Sequence, residues 1–176
     1  VKVAHDGIDE ESIKRATAFV CRGENWVKKS ERMLTDALNQ KLIDREATTE
    51  VSGVMIKSND DLRQEVFVMQ MIHFYQSVFA KASLPIWLKT YRILSTSKDT
   101  GVIEFLLDST SIDSLKKSEM FPQSGSLHEY FKMIYGPVES KSFKAAQRNF
   151  MLSLVGYSLV SYLLGLKDRH NGNIMI

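Results

Sequence analysis

Residues 150–166, FMLSLVGYSLVSYLLGL, carry no charge and run straight into a polar cluster, LKDRHNGNIMI, at the end of the chain. A stretch of this kind leaves two options: it spans a bilayer, which takes ~20 apolar residues, or it is a helix buried in protein. It is short for a span, three serines, two glycines and two tyrosines dilute it, and charge follows at once. The sequence therefore predicts a buried helix of a soluble domain, with any membrane contact peripheral and made elsewhere.

Bulk properties agree with a folded domain. A length of 176 residues suits one domain or a piece of a larger one. Hydrophobic residues at 44% and charged residues at 25% exclude disorder and collagen-like repetition. Twenty-three Lys and Arg against 21 Asp and Glu leave a formal charge of +2, too balanced to argue for nucleic acid. The single cysteine, Cys21, has no second thiol for an internal disulfide or a zinc site, which favours a reducing, cytoplasmic setting. The opening VKVAHDGIDEESIKR is polar and acidic, unlike a secretory signal, and lacks an initiating Met, so the chain is expected to start inside a longer protein.

Periodicity predicts helices over 9–20 and 24–42, a polar loop at 44–50 and a strand at 51–57. Ser58 and Asn59 are candidate caps for a helix over 60–81, whose buried side is expected to carry Leu62, Val66, Met69, Ile72, His73, Tyr75, Gln76 and Phe79. After Pro85, strands at 87–94 and 102–106 flank the turn STSKDTG, as in a hairpin. Helices at 111–118, 126–134 and 140–166 follow, with SEMFPQSGS between the first two as a surface loop. A strand-rich first half thus gives way to a helical second half.

Two clusters carry chemistry. In the final segment, Asp168, Arg169, His170, Asn171 and Asn173 crowd into a few positions. A polar loop there can offer a carboxylate as proton acceptor and an amide oxygen as a magnesium ligand, the pairing that phosphoryl transfer to a hydroxyl requires. The alternative is a hydrogen-bonded helix-end turn in which Gly172 merely permits a positive φ. The other cluster is Lys57 at a strand end, followed by Asp60, Asp61 and Glu65 at a helix start. A strand lysine facing a helix carboxylate can hold a cation on nucleotide phosphates, with Glu65 as the partner. The competing reading is a solvated helix N-terminus whose acids complement the dipole, and for Asp60 and Asp61 both stand.

Together these residues resemble the phosphatidylinositol 3-/4-kinase catalytic domain, in which a lysine precedes DDLRQ plus an acid and the catalytic loop reads DRH-x-x-N. LPIWLKTYRIL, GVIEFLLDSTSI and AQRNFMLSLVGYSLVSYLL resemble the family's intervening elements, so the likeness covers about 53–176. KDRHNGNI resembles the 4-kinases, and DDLRQE, AQRNF and RGENWVKKSERM resemble their beta type.

The resemblance implies an α+β, kinase-like fold of two lobes, a small antiparallel-sheet N-lobe and a mainly helical C-lobe, incomplete at its C-terminus. Residues 1–50 would be a helical lead-in and the start of the N-lobe, 51–108 the sheet, helix and hinge, and 109–176 a partial C-lobe. It implies Lys57 as the ATP-phosphate lysine, Glu65 as its helix acid and Tyr91 as a pocket wall. Ile56 and Ile103 would be apolar neighbours of adenine, bonded by the Glu104 carbonyl and the Leu106 amide. Asp168 would take the inositol hydroxyl proton with His170 assisting, and Asn173 would bind magnesium. The implied partner is phosphatidylinositol in a membrane, met by a cytoplasmic protein at Golgi-like surfaces.

Two departures bear on this. Residues 34–50, LTDALNQKLIDREATTE, contain no glycine where the family has a phosphate-covering loop, and the chain ends before the family's Asp-Phe-Gly segment. The expectation is therefore an active parent protein and an inactive isolated chain. A 3-kinase, a related protein kinase and a non-catalytic kinase-like binding module remain as alternatives.

Overall fold

In the computed structural model, residues 6–21, 24–44 and 48–176 are described. Part of the expected 44–50 loop, the first residues of RGENWVKKSERM and the first five residues of the chain lie outside them. Helix α1 (Glu10–Val20) is started by Asp9, whose carboxylate accepts from the Ser12 amide. Helix α2 (Trp26–Asn39) is capped by Asn25 and buries none of its side chains. Strand β1 (Val54–Ser58), helix α3 (Arg63–Lys81), β2 (Ile93–Ser95) and β3 (Thr100–Glu104) follow. Three further helices complete the order, α4 (Ile112–Lys116), α5 (Leu127–Tyr135) and α6 (Lys141–Leu164). This is the α+β class expected, with the sheet ahead of the helical half.

The three strands form an antiparallel sheet in the order β1-β3-β2, with Val54 opposite Glu104 and Ile93 opposite Ile103. Leu62, 1% exposed, anchors the start of α3 under the sheet. Buried Gly101 makes room for it: a β-carbon there would lie 2.5 Å from Leu62 Cδ1 and 2.7 Å from the Leu94 carbonyl oxygen. Helix α3 starts at Arg63 rather than residue 60, with Leu62 and not Ser58 or Asn59 at its N-cap and no side-chain cap bond; Asp61, just ahead of it, accepts from the Arg63 amide.

The strand expected over 87–94 shrinks to Ile93–Ser95. Ahead of it the backbone takes its hydrogen bonds from helices instead of a neighbouring strand. Gln76 Nε2 of α3 donates to the Leu88 carbonyl, and the Tyr157 hydroxyl of α6 both accepts from the Lys89 amide and donates to the Lys89 carbonyl. Gly156 permits the approach, since a β-carbon there would meet Ile86, the Trp87 carbonyl and Leu88 within 3.1 Å. Ile72, Phe79, Leu88 and Val160 form the core at this junction. On α3, His73, expected on the buried side, is exposed, because the helix presents Ile72 and Phe79 inward.

A further core joins Phe19 of α1 to Leu115, Phe121, Tyr130 and Ile134 of the helical half. The Tyr130 ring meets Phe19 edge-on at 5.1 Å and stacks on Phe121 at 5.7 Å. Polar bonds lock α1 in place: Asp9 bonds Ser142 at the start of α6, and Arg15 Nε donates to the Ile134 carbonyl. The expected burial of 150–166 holds on one side only. Gly156 and Val160 are buried, while Met151, Leu154, Val155, Leu159 and Leu163 face outward because α3 and α5 cover a single face. Among the described residues no helix is long and apolar enough to cross a membrane.

Candidate active site

Helix α6 stops at Gly165, whose φ of 63° lets its amide turn back to the Ser161 and Tyr162 carbonyls. A left-handed turn of this kind suits a glycine. The chain then enters the polar loop predicted to carry chemistry. Asp168 also adopts a positive φ, 61°, a conformation that side chains other than Asn and Asp seldom tolerate. Asn173 holds it there, with Nδ2 donating to the Asp168 carbonyl at 2.8 Å and to its carboxylate Oδ2 at 3.2 Å. With its nitrogen committed, the Asn173 amide has its oxygen left as a ligand atom.

His170 completes the cluster. The Gly172 amide donates to Nδ1 at 3.0 Å, and Nε2 lies 3.3 Å from Asn173 Nδ2 and 3.7 Å from Asp168 Oδ1. The Asp168 side chain is 75% exposed and therefore open to an incoming hydroxyl. The far end of the loop is fixed by main-chain bonds. The Asp113 amide donates to the Asn171 carbonyl, the Ile112 amide to Ile174, and Thr110 and Ile176 exchange a pair. The loop thus joins the end of α6 to the start of α4.

At the sheet, the geometry departs from expectation. Lys57 Nζ pairs with Asp60 Oδ2 at 3.3 Å rather than with Glu65, because Asn59 at φ 57° turns the chain tightly after β1. The pair is nearly half exposed, so it is worth at most about 1 kcal/mol. Asp61 makes a two-pronged contact with its own neighbour, Arg63, and that guanidinium lowers its carboxyl to about 2. Ile56 is 72% exposed, whereas Ile103 and Leu106 are half-buried.

Tyr91, just before β2, feels charge from both clusters. Burial raises its phenol, Arg169 of the loop pulls it down and Glu65 of α3 pushes it up again, so both charges reach one half-buried ring.

The segment leaving β3 has an unusual bonding pattern. The Glu104 amide donates to the Arg92 carbonyl at 2.8 Å, and in an antiparallel ladder the Arg92 amide would return the bond to the Glu104 carbonyl. Instead the Arg92 amide donates to the Glu104 carboxylate, at 2.9 Å. Among the described residues, neither the Glu104 carbonyl nor the Leu106 amide has a partner in the protein.

The structure also shows a junction that sequence reasoning missed. Asp108, at φ 49°, accepts at one oxygen from the Trp26 amide, 2.8 Å, and from Cys21 Sγ, 3.1 Å. Burial and then Asp108 push the thiol up to about 12. With Phe105 these residues line a shallow cavity of about 140 Å³. The start of α2 is tied to the segment after β3, a long-range bond that no local pattern encodes.

Among the described residues, no three His, Cys, Asp or Glu side chains gather as a metal site. The carboxamide oxygen of Asn173 beside Asp168 nevertheless fits magnesium, which takes few protein oxygens and completes its shell with phosphate and water.

Residues 51–176 match the family described as phosphatidylinositol 3- and 4-kinase. Among curated relatives, phosphatidylinositol 4-kinase beta 1 of Arabidopsis thaliana is 42% identical over 154 residues, covering 88% of this chain and 13% of that protein. Phosphatidylinositol 4-kinase PIK1alpha of Candida albicans is 38% identical over 164 residues, 88% of this chain and 16% of its own length. Phosphatidylinositol 4-kinase beta of Sorex araneus is 43% identical over 124 residues, 70% of this chain and 15% of that protein. The chain thus spans less than a fifth of the length of these relatives.

Proposed function

Because the chain belongs to the phosphatidylinositol 3- and 4-kinase family, we propose that it forms part of an enzyme that transfers the γ-phosphoryl of ATP to the 4-hydroxyl of phosphatidylinositol. The observation that carries this reading is the 168–173 loop, in which one amide fixes the proposed proton acceptor and keeps its own oxygen for a ligand. The choice of the 4-position draws on the names of the relatives.

In this mechanism Asp168 accepts the proton of the attacking inositol hydroxyl. Asn173 restrains its carboxylate, and His170, beside the same carboxylate, assists at the incoming phosphoryl group. Lys57 balances phosphate charge, after exchanging its exposed bond to Asp60 for one to nucleotide. Glu65 and Tyr91 border the inner end of the nucleotide site, Ile103 and Ile56 flank the base, and the Glu104 carbonyl and Leu106 amide bond adenine. A magnesium ion, held by Asn173 through its carboxamide oxygen, would supply charge neutralisation on the phosphates. Residues 51–108 act as the nucleotide lobe and 109–176 as part of the helical lobe. The substrate lies in a membrane, so the enzyme works from the cytoplasmic side as a peripheral protein, at Golgi-like surfaces.

The test is a lipid-kinase assay of the full-length protein with ATP, magnesium and phosphatidylinositol vesicles. Phosphatidylinositol 4-phosphate is the expected product, and Asn173→Ala should lower kcat by about 100-fold or more. Phosphorylation of peptides without phosphoinositide product would overturn the lipid assignment, and a 3-phosphate product would overturn the position.

A further inference from the structure

Resting on the nucleotide-binding reading above, we infer that the Glu104 side chain is a positioning residue for adenine. By capturing the Arg92 amide, it keeps the Glu104 main-chain carbonyl free to accept from the exocyclic amine of the base. The register from β2 to β3 brings Arg92 opposite Glu104, and half of their ladder exchange is made, Glu104 N to Arg92 O at 2.8 Å. The other half is diverted to Glu104 Oε2 at 2.9 Å, with Arg92 Nε adding a longer contact of 3.4 Å to the same oxygen. The Arg92 amide is the main reason the Glu104 carboxyl lies below its ordinary range, so the acceptor is ionised at neutral pH. A carboxylate outcompetes a carbonyl for one N–H because a charge-assisted bond is roughly twice as strong as a neutral one.

Remove the carboxylate, and the Arg92 amide closes on the carbonyl. The base then loses one acceptor, the one that distinguishes a 6-aminopurine from a purine bare at position 6. The side chain thus sets both affinity and base selectivity without touching the ligand.

The experiment measures equilibrium binding of ATP and of purine riboside triphosphate, which lacks the 6-amino group, to the full-length protein and its variants. Wild type should favour ATP by about five- to tenfold, the value of one neutral hydrogen bond. Glu104→Ala should abolish that preference by weakening ATP alone, and Glu104→Gln, whose amide oxygen accepts the same N–H, should restore it. Arg92→Pro deletes the competing amide, so Glu104→Ala combined with Arg92→Pro should regain the preference and serves as the check if the alanine variant is poorly folded. Equal weakening of both nucleotides by Glu104→Ala, no change in either, or a wild type that binds both equally would overturn the inference and leave the kinase reading intact. A wild type that binds neither nucleotide would overturn the kinase reading, and this inference with it.

Discussion

Replacing Tyr157 by Phe removes one oxygen and leaves the ring in its core beside Ile72, Phe79, Leu88 and Val160. That oxygen bonds the Lys89 amide at 2.8 Å and the Lys89 carbonyl at 3.0 Å, and both bonds are partly buried. A net hydrogen bond is worth about 1 kcal/mol, and both ends of Lys89 lose their partner together, so Tyr157→Phe should destabilise the fold by about 2 kcal/mol. For a domain of this size that lowers Tm by about 4 to 8 °C. Denaturant melts followed by circular dichroism give the free energy, and Tyr162→Phe on the same helix is the control. Tyr162 is 83% exposed, so its variant should stay within about 0.5 kcal/mol of wild type. The segment before β2 makes its first bond to the sheet only at Arg92, so nothing in the sheet substitutes for the bonds lost at Lys89. A Tyr157→Phe protein indistinguishable from the control would refute the claim that this hydroxyl stands in for a sheet ladder.

Gly101→Ala sets a β-carbon against Leu62 and the Leu94 carbonyl, and should cost about 1 to 3 kcal/mol by overpacking, read as a lower thermal midpoint; an unchanged midpoint would mean the start of α3 is free to shift. Asp9 is lowered from 3.8 to about 2, chiefly by its bond from Ser142, so its stabilisation is complete above the unfolded value and is lost as pH falls through about 2. The gap in melting temperature between wild type and Asp9→Asn should therefore be widest near neutrality and narrow below pH 3.8; a constant gap would exclude the linkage.

Periodicity located the helices well where an apolar stripe follows a polar cap, as with Asp9 before α1 and Ser140 before α6. It overextended the strand at 87–94, since apolar alternation reports burial and cannot tell a sheet partner from the side chains of Gln76 and Tyr157. The uncharged stretch 150–166 reads as a buried helix, whereas only the face bearing Gly156 and Val160 is covered. At the site, the grouping of Asp168, His170 and Asn173 was legible because the three are near neighbours in the chain. The Lys57 bond to Asp60 rather than Glu65 depends on the backbone turn at Asn59, and the Arg92 amide bond on strand register, neither of which residue spacing expresses.

The bond between Asp9 and Ser142 spans 133 positions of sequence, which has a bearing on how the protein is made. Synthesis proceeds at ~5 to 20 residues per second, so α1 leaves the ribosome on the order of 10 s before the residues it docks on. Throughout that interval Phe19 has no Tyr130 to pack against, and this apolar end of an otherwise charged helix lacks its partner. Docking of α1 is thus a late event in the making of this segment, and the nascent chain is most open to chaperone capture, or to mispairing with a neighbouring copy, during the interval before α6 emerges.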